Sequence, residues 1–136
     1  MNEGETRTLC NRFFDAYQAA RVAELEEILS EDCIIWTNVF GEKPRNENLA
    51  MLAPSQKRQR RRVYNDRQIQ AFDGGFVIQY TLNITEHSGR QSALFVALVG
   101  LCRDGRIYRI DEYIDPSKSP VWQLRQAQAQ AANTQG

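Results

Sequence analysis

The stretch Gln91-Ser-Ala-Leu-Phe-Val-Ala-Leu-Val-Gly-Leu-Cys-Arg-Asp-Gly-Arg-Ile-Tyr-Arg-Ile-Asp-Glu-Tyr-Ile-Asp115 decides the architecture. Two strand-like runs, 91–103 and 106–115, flank Asp104-Gly105, a dipeptide that favours a tight hairpin. The first run is apolar on both faces: Ala93, Phe95, Ala97, Val99 and Leu101 alternate with Leu94, Val96, Leu98, Gly100 and Cys102. A strand apolar on both sides is buried on both sides. Helices can cover one side and a second copy of the sheet the other, so a homodimer through the sheet face is expected. In the second run, alternation places Tyr108, Ile110, Glu112 and Ile114 together. Three of these suit a core or a pocket wall; the fourth is a carboxylate, and burying an unpaired carboxylate is costly. Glu112 is therefore expected to have a polar partner inside, or to line a cavity and hold a proton.

Upstream the pattern continues as a meander. Strands are predicted over 63–72 and 76–86, separated by Asp73-Gly74-Gly75 and followed by a turn at Ser88-Gly89. In 76–86, Ile78, Tyr80, Leu82 and Ile84 take one face, and Gln79, Thr81, Asn83 and Thr85 the other. Pro116 closes the sheet. Before the meander, helical periodicity over 5–20 gathers Leu9, Cys10, Phe13, Phe14, Ala16, Tyr17 and Ala20 on one side. A shorter helix is predicted over 22–30, then a β-branched and aromatic strand over 33–38 that Gly41 and Pro44 break. Asn46 is a candidate N-cap for a third helix, which Pro54 interrupts or restarts. Helices first and antiparallel strands after give an α+β class: a curved sheet with about three N-terminal helices on one face. The expected domain is 1–123. The Gln/Ala-rich segment 124–136 is expected to extend a short helix from Val121-Trp122 and then fray.

Composition narrows the function classes. A chain of 136 residues with 17 basic and 17 acidic side chains has no net charge to draw it to nucleic acid or to a membrane surface. The run Lys57-Arg-Gln-Arg-Arg-Arg62 reads as a solvated helix end, where cations favour the helix dipole. Cys10, Cys33 and Cys102 are odd in number and widely spaced, and His87 is the sole histidine. No disulfide framework, metal site or cofactor is implied. No apolar run approaches the ~20 residues needed to span a bilayer. The acidic start Met-Asn-Glu-Gly-Glu lacks an apolar signal core, so a cytoplasmic setting is expected.

Over about 8–116 the layout resembles the nuclear transport factor 2-like superfamily, in the branch of SnoaL-like domains that includes limonene epoxide hydrolase. Three pieces carry the resemblance: the opening helix pair ending Leu-Ser-Glu-Asp-Cys at 29–33; Trp36-Thr-Asn-Val-Phe-Gly41 with Arg45-Asn-Glu-Asn; and Asp104-Gly-Arg-Ile with Asp111-Glu-Tyr-Ile-Asp115. The resemblance implies a cone, a curved sheet closed by helices around a deep, mostly apolar cavity that takes a small apolar molecule. In the epoxide hydrolases of this group a Tyr and an Asn on the first strand and an Asp on the last hold the attacking water. Trp36, Asn38 and Glu112 fall at those positions. Their epoxide-protonating Arg-x-Asp pair falls near Thr81 and Asn83, which carry no acid. In the ketosteroid isomerases the helix Tyr falls near Phe13, the base near Thr37 and the oxyanion-hole acid within 97–99, so that activity is excluded.

The candidate site follows from the residues and the resemblance together. Glu112 is the expected acid, base or water-positioning group, with Asn38 orienting a water or substrate. Trp36, Tyr17, Thr81, Asn83 and Phe13 are the expected substrate contacts. The reaction class is left open among hydrolysis, isomerisation and dehydration. The alternative is a module of the same fold that holds a ligand, or assembles, without turnover.

Overall fold

The structure, a computed structural model, describes residues 1–135. Helix α1 spans Glu3–Gln18. It starts two residues before the apolar periodicity suggests because Asn2 and Glu5 form a reciprocal capping box. Its apolar stripe, Leu9, Cys10, Phe13, Phe14 and Ala16, is buried. Helix α2 (Val22–Ile28) turns back and leads into strand β1 (Leu29–Thr37). A short hairpin strand β2 (Gly41–Pro44) precedes helices α3 (Arg45–Ala50) and α4 (Leu52–Arg58). The break between these helices falls at Met51, so Pro54 sits in the first turn of α4, where its missing N–H is tolerated. Pro44, not Asn46, occupies the N-cap position of α3. Arg45 is buried there, donating to the carbonyls of Glu26 and Leu29 at 3.2 Å and so capping the end of α2.

Strands β3 (Gln59–Phe72), β4 (Gly75–Glu86), β5 (Gln91–Arg103) and β6 (Arg106–Asp115) form the expected meander. The sheet order is β2-β1-β6-β5-β4-β3, with β1 and β6 parallel and the other neighbours antiparallel. The result is a curved, mixed α+β sheet with helices on one face. The ladder is interrupted between Asn65 and Gln68 in β3, where Asp66 has φ 57°. A second irregularity falls opposite Leu101/Cys102 in β6. Such bulges bend and twist a strand locally.

The β6 irregularity shifts the side-chain phase. Ile110 and Ile114 are buried on Glu112's face as expected, but Ile107 takes the core position expected for Tyr108. Tyr108 lies instead under the Arg103 guanidinium, 4.5 Å from the ring centroid. Along β4 and β5 the inner faces are continuous: Ile78, Tyr80, Leu82 and Ile84 lie beside Leu94, Val96 and Leu98. Close approach explains the small residue at position 100: a Cβ on Gly100 would stand 2.3 Å from the Phe76 ring. The Gln/Ala-rich segment continues as helix α5 (Pro120–Gln135), because Ala, Gln, Leu and Arg are good helix formers and nothing in that range breaks the helix. Only Gly136 of the expected tail lies outside the described residues.

Candidate active site

The concave face of the sheet and helices α1, α3, α4 and α5 enclose a cavity of about 130 Å³. Its floor comes from alternation. On β1 the residues facing in are Ile35 and Thr37; on β4 they are Tyr80 and Leu82, on β5 Leu94 and Val96, and on β6 Ile110, Glu112 and Ile114. Phe13, Phe14 and Tyr17 of α1 form the wall opposite, and Trp122 of α5 closes part of the rim against Phe40. Phe14, Tyr64 and Tyr80 pack together with centroids 4.8 to 5.4 Å apart, Phe14 and Tyr80 edge to face and the other pairs tilted, so the apolar part of the wall is largely aromatic.

Glu112 is the one carboxylate in this lining. The residue is half-buried and lines the cavity. Desolvation therefore dominates and pushes its carboxyl from 4.5 to about 7, against the opposing pull of the Arg62 cation and a hydrogen bond from the Tyr80 hydroxyl. No described guanidinium or ammonium forms an ion pair with it. The surrounding phenols are pushed the same way, further from ionising at neutral pH. Burial raises Tyr17, Tyr64 and Tyr80, with the Glu112 charge adding to each, so all three remain neutral hydroxyls. The Tyr17 hydroxyl donates to Asn48 Oδ1, and the Tyr64 hydroxyl accepts from Arg62 Nε at 2.9 Å. Chemically the cavity offers one carboxyl poised near neutrality, neutral hydrogen-bond donors beside it, and an aromatic wall. Among the described residues there is no cluster of His, Cys, Asp or Glu able to hold a metal.

The structure brings together only part of the predicted constellation. Glu112, Tyr17 and Phe13 meet in the cavity. Trp36, Asn38, Thr81 and Asn83 do not line it. On β1, Trp36 shares a face with Ile34 as alternation predicts, but it is the other set, Cys33, Ile35 and Thr37, that points inward. Trp36 packs edge-on against Tyr113 on the outer face of the sheet, with centroids 5.1 Å apart. Asn38 lies just past β1, and its amide is fully engaged with the backbone of Ile114, donating at 2.9 Å and accepting at 2.8 Å. Thr81 and Asn83 occupy the outer row of β4. The cavity members that sequence reasoning passed over are Thr37, Asn48, Arg62, Tyr64 and Tyr80, with Trp122 and Arg125 from α5. Tyr80 was identifiable, being the only polar side chain in the inward row of β4. Arg62 and Arg125 were hidden in segments that read as solvated.

The outer face of the sheet stays open. Phe95 and Tyr113 are 45% and 55% exposed there, beside Trp36, in a shallow groove that also includes Gln79, Thr81 and Ala97. This groove is roomier than the cavity, at about 510 Å³, but it is an open depression whose carboxylates, Asp66 and Asp115, are exposed.

Comparison with known proteins places this geometry. No family model and no curated protein matches the chain. Solved structures do. A provisionally named polyketide cyclase from Xanthomonas campestris pv. campestris superposes with a TM-score of 0.74 at 20% identity, over 85% of this chain and 93% of that one. An LEH-like epoxide hydrolase from M. tuberculosis gives 0.72 at 18% identity, over 96% and 97%. An NTF-2 like protein of unknown function from Burkholderia xenovorans gives 0.67 at 19% identity, over 92% and 94%. These likenesses show the fold, which is the one shared by the NTF-2 like and ketosteroid isomerase-like proteins among the solved structures. The three cysteines are free thiols, and no described helix is long and apolar enough to cross a membrane.

Proposed function

We propose that the cavity binds a small, mostly apolar molecule and that Glu112 moves a proton to or from it. The observation that carries this reading is a lone carboxyl, desolvated to about 7, inside an aromatic cavity. A general acid or base works best with a pKa near the working pH. Tyr80 is the positioning partner, since its hydroxyl both orients the carboxyl and steadies its charged form. Size limits the substrate. A cavity of about 130 Å³ is close to the ~150 Å³ void that accepts benzene in an engineered core, so one ring's worth of ligand is enclosed at a time. Proton abstraction beside a carbonyl, as in isomerisation or cyclisation, needs only one such carboxyl. The cyclase names of several structural neighbours agree with that class. Epoxide opening fits less well, because the inward positions of the middle strands carry Tyr80, Leu82, Leu94 and Val96 and so hold no acid pair.

The second reading is a module that holds its ligand without turnover. One observation favours it: the lining has no second titratable acid or base near neutrality to relay a proton to solvent. Screening small cyclic ketones and enones, with proton exchange at carbon followed by NMR in heavy water, separates the two. Exchange that wild type catalyses and Glu112→Gln does not supports chemistry. Thermal stabilisation by the same compounds with no exchange supports binding alone.

The open sheet face is proposed as the contact with a second copy of the chain, through Trp36, Phe95 and Tyr113. Sedimentation should give a dimer that Phe95→Glu dissociates, and a monomeric wild type at high concentration removes this proposal.

A further inference from the structure

The mouth of the cavity carries a second, oppositely charged feature. Arg58, Arg62 and Arg125, from α4, β3 and α5, all line it, and none forms an ion pair among the described residues. Elsewhere Arg12, Arg67, Arg103 and Arg109 each reach a carboxylate, whereas Arg45, Arg60, Arg61 and Arg106, like the three at the mouth, form no ion pair among the described residues. Even Lys43, the remaining cation of the lining, pairs with Glu47 at 3.3 Å. The contacts the three guanidiniums do make are slight. Arg58 donates to Ser55 Oγ at 3.2 Å, Arg62 to the Tyr64 hydroxyl, and Arg125 lies 5.5 Å above the Trp122 ring. A guanidinium has five N–H donors, so most of this capacity is uncommitted. The cluster is also self-repelling: burial, then Arg58 and Arg62, hold Arg125 below its usual value, with only Glu86 opposing. Beside it, Gln59 Oε1 is a buried acceptor with no donor, and Gln59 lines the same cavity. An unmatched buried acceptor is costly unless something donates to it.

We infer that the natural ligand is an amphipathic acid: a ring-sized apolar body in the cavity, a carboxylate held by Arg58, Arg62 and Arg125 at the mouth, and a hydroxyl or N–H group that donates to Gln59. Converging guanidiniums suit a carboxylate because each offers parallel N–H donors to its two oxygens. This inference rests on the reading that the cavity takes a ligand, but not on turnover.

The test is a matched series of arylalkanoates, from benzoate to 4-phenylbutyrate, against the corresponding alcohols, with affinities from calorimetry at low salt. The acids should bind about tenfold or more tightly than their alcohols, since a charge-assisted hydrogen bond contributes at least that factor. The double variant Arg58→Gln, Arg125→Gln should erase most of that preference. Because these side chains touch the charged group and not the ring, affinity for the alcohols should stay within about twofold, which also shows that the variant is folded. Acids and alcohols binding alike would overturn the inference and leave the cavity reading intact. Inorganic phosphate binding as tightly as the arylalkanoates would mean an anion site unconnected with the cavity, and would also overturn it. Failure of every member of both series to bind would overturn both readings.

Discussion

Replacing Glu112 by Gln should make the protein more stable at neutral pH, and the size of the effect follows from the cavity. The glutamine keeps the shape and an acceptor for the Tyr80 hydroxyl but removes the ionisation. In wild type the carboxyl lies at about 7 when folded and at 4.5 when unfolded. The folded value is the higher one, so folding favours the protonated form. Its contribution is intact below about pH 4.5 and is lost as pH rises toward about 7, after which it levels off. At about 1.4 kcal/mol per pH unit, that window removes about 3 kcal/mol from wild type. Against a typical total of about 5 to 15 kcal/mol this is easily measured. Urea unfolding followed by the fluorescence of Trp36 and Trp122, for both proteins between about pH 5 and about pH 8, isolates it. Other titrating groups are common to both proteins and cancel in the difference. The two stabilities should be close at the acid end, with the variant ahead by about 3 kcal/mol at the alkaline end. Parallel pH profiles, or a variant weaker by the same amount throughout, would refute the claim that this carboxyl is desolvated.

Three further outcomes follow. Gly100→Ala forces its new methyl against the Phe76 ring 2.3 Å away, in a fully buried site, and should lower stability in urea by about 1 to 3 kcal/mol. Asn38→Ala strands the Ile114 backbone N–H and C=O that its amide now satisfies; it should cost about 2 kcal/mol in the same assay while leaving ligand affinity in calorimetry unchanged. Burial pushes the Cys10 and Cys33 thiols up to about 12, whereas Cys102 is less enclosed, so a disulfide reagent such as Ellman's should modify the native protein first at Cys102, and Cys102→Ser should remove that fast phase.

How far the sequence could be read depended on whether a local rule determined the answer. The meander was legible because Asp104-Gly105, Gly74-Gly75 and Ser88-Gly89 are strong turn signals, and because β4 alternates cleanly. The orientation of Glu112 was legible for the same reason, since Ile110 and Ile114 flank it on one face. Tyr108 was misplaced because a bulge shifts the side-chain phase, and no residue type marks the bulge. On β1 alternation defined two sets of residues but not which set points inward. Cys33, Ile35 and Thr37 compete with Ile34, Trp36 and Asn38 on nearly equal hydrophobic terms, so the choice rested on likeness to the hydrolases. Local chemistry then explains the result: Asn38 is needed to satisfy the Ile114 backbone, and Trp36 to pack on Tyr113. The arginines at the mouth were not legible at all. A run from Lys57 to Arg62 looks solvated in one dimension, and only the return of α5 over the cavity turns Arg58 and Arg62 toward Arg125.

If Glu112 moves a proton, as proposed, the two charged features of the cavity are coupled in a way that bears on the direction of transfer. Among the influences that hold Glu112 down toward its ordinary value, the Arg62 cation is the larger and the Tyr80 hydrogen bond the smaller. An anion seated on Arg62 cancels much of that positive field and adds its own negative one. Both changes disfavour the ionised carboxyl, so loading an acid moves Glu112 upward, away from ionising at neutral pH. Entry of the ligand body also displaces water from around the carboxyl, which acts in the same direction. With Tyr17, Tyr64 and Tyr80 already neutral, the loaded cavity then presents only proton donors to the ligand at neutral pH. Glu112 would act first as an acid toward a bound anion, and as a base only toward a neutral ligand that leaves Arg62 free. On the proposed reading, the charge of the ligand would therefore select between the two roles that one carboxyl near neutrality can play.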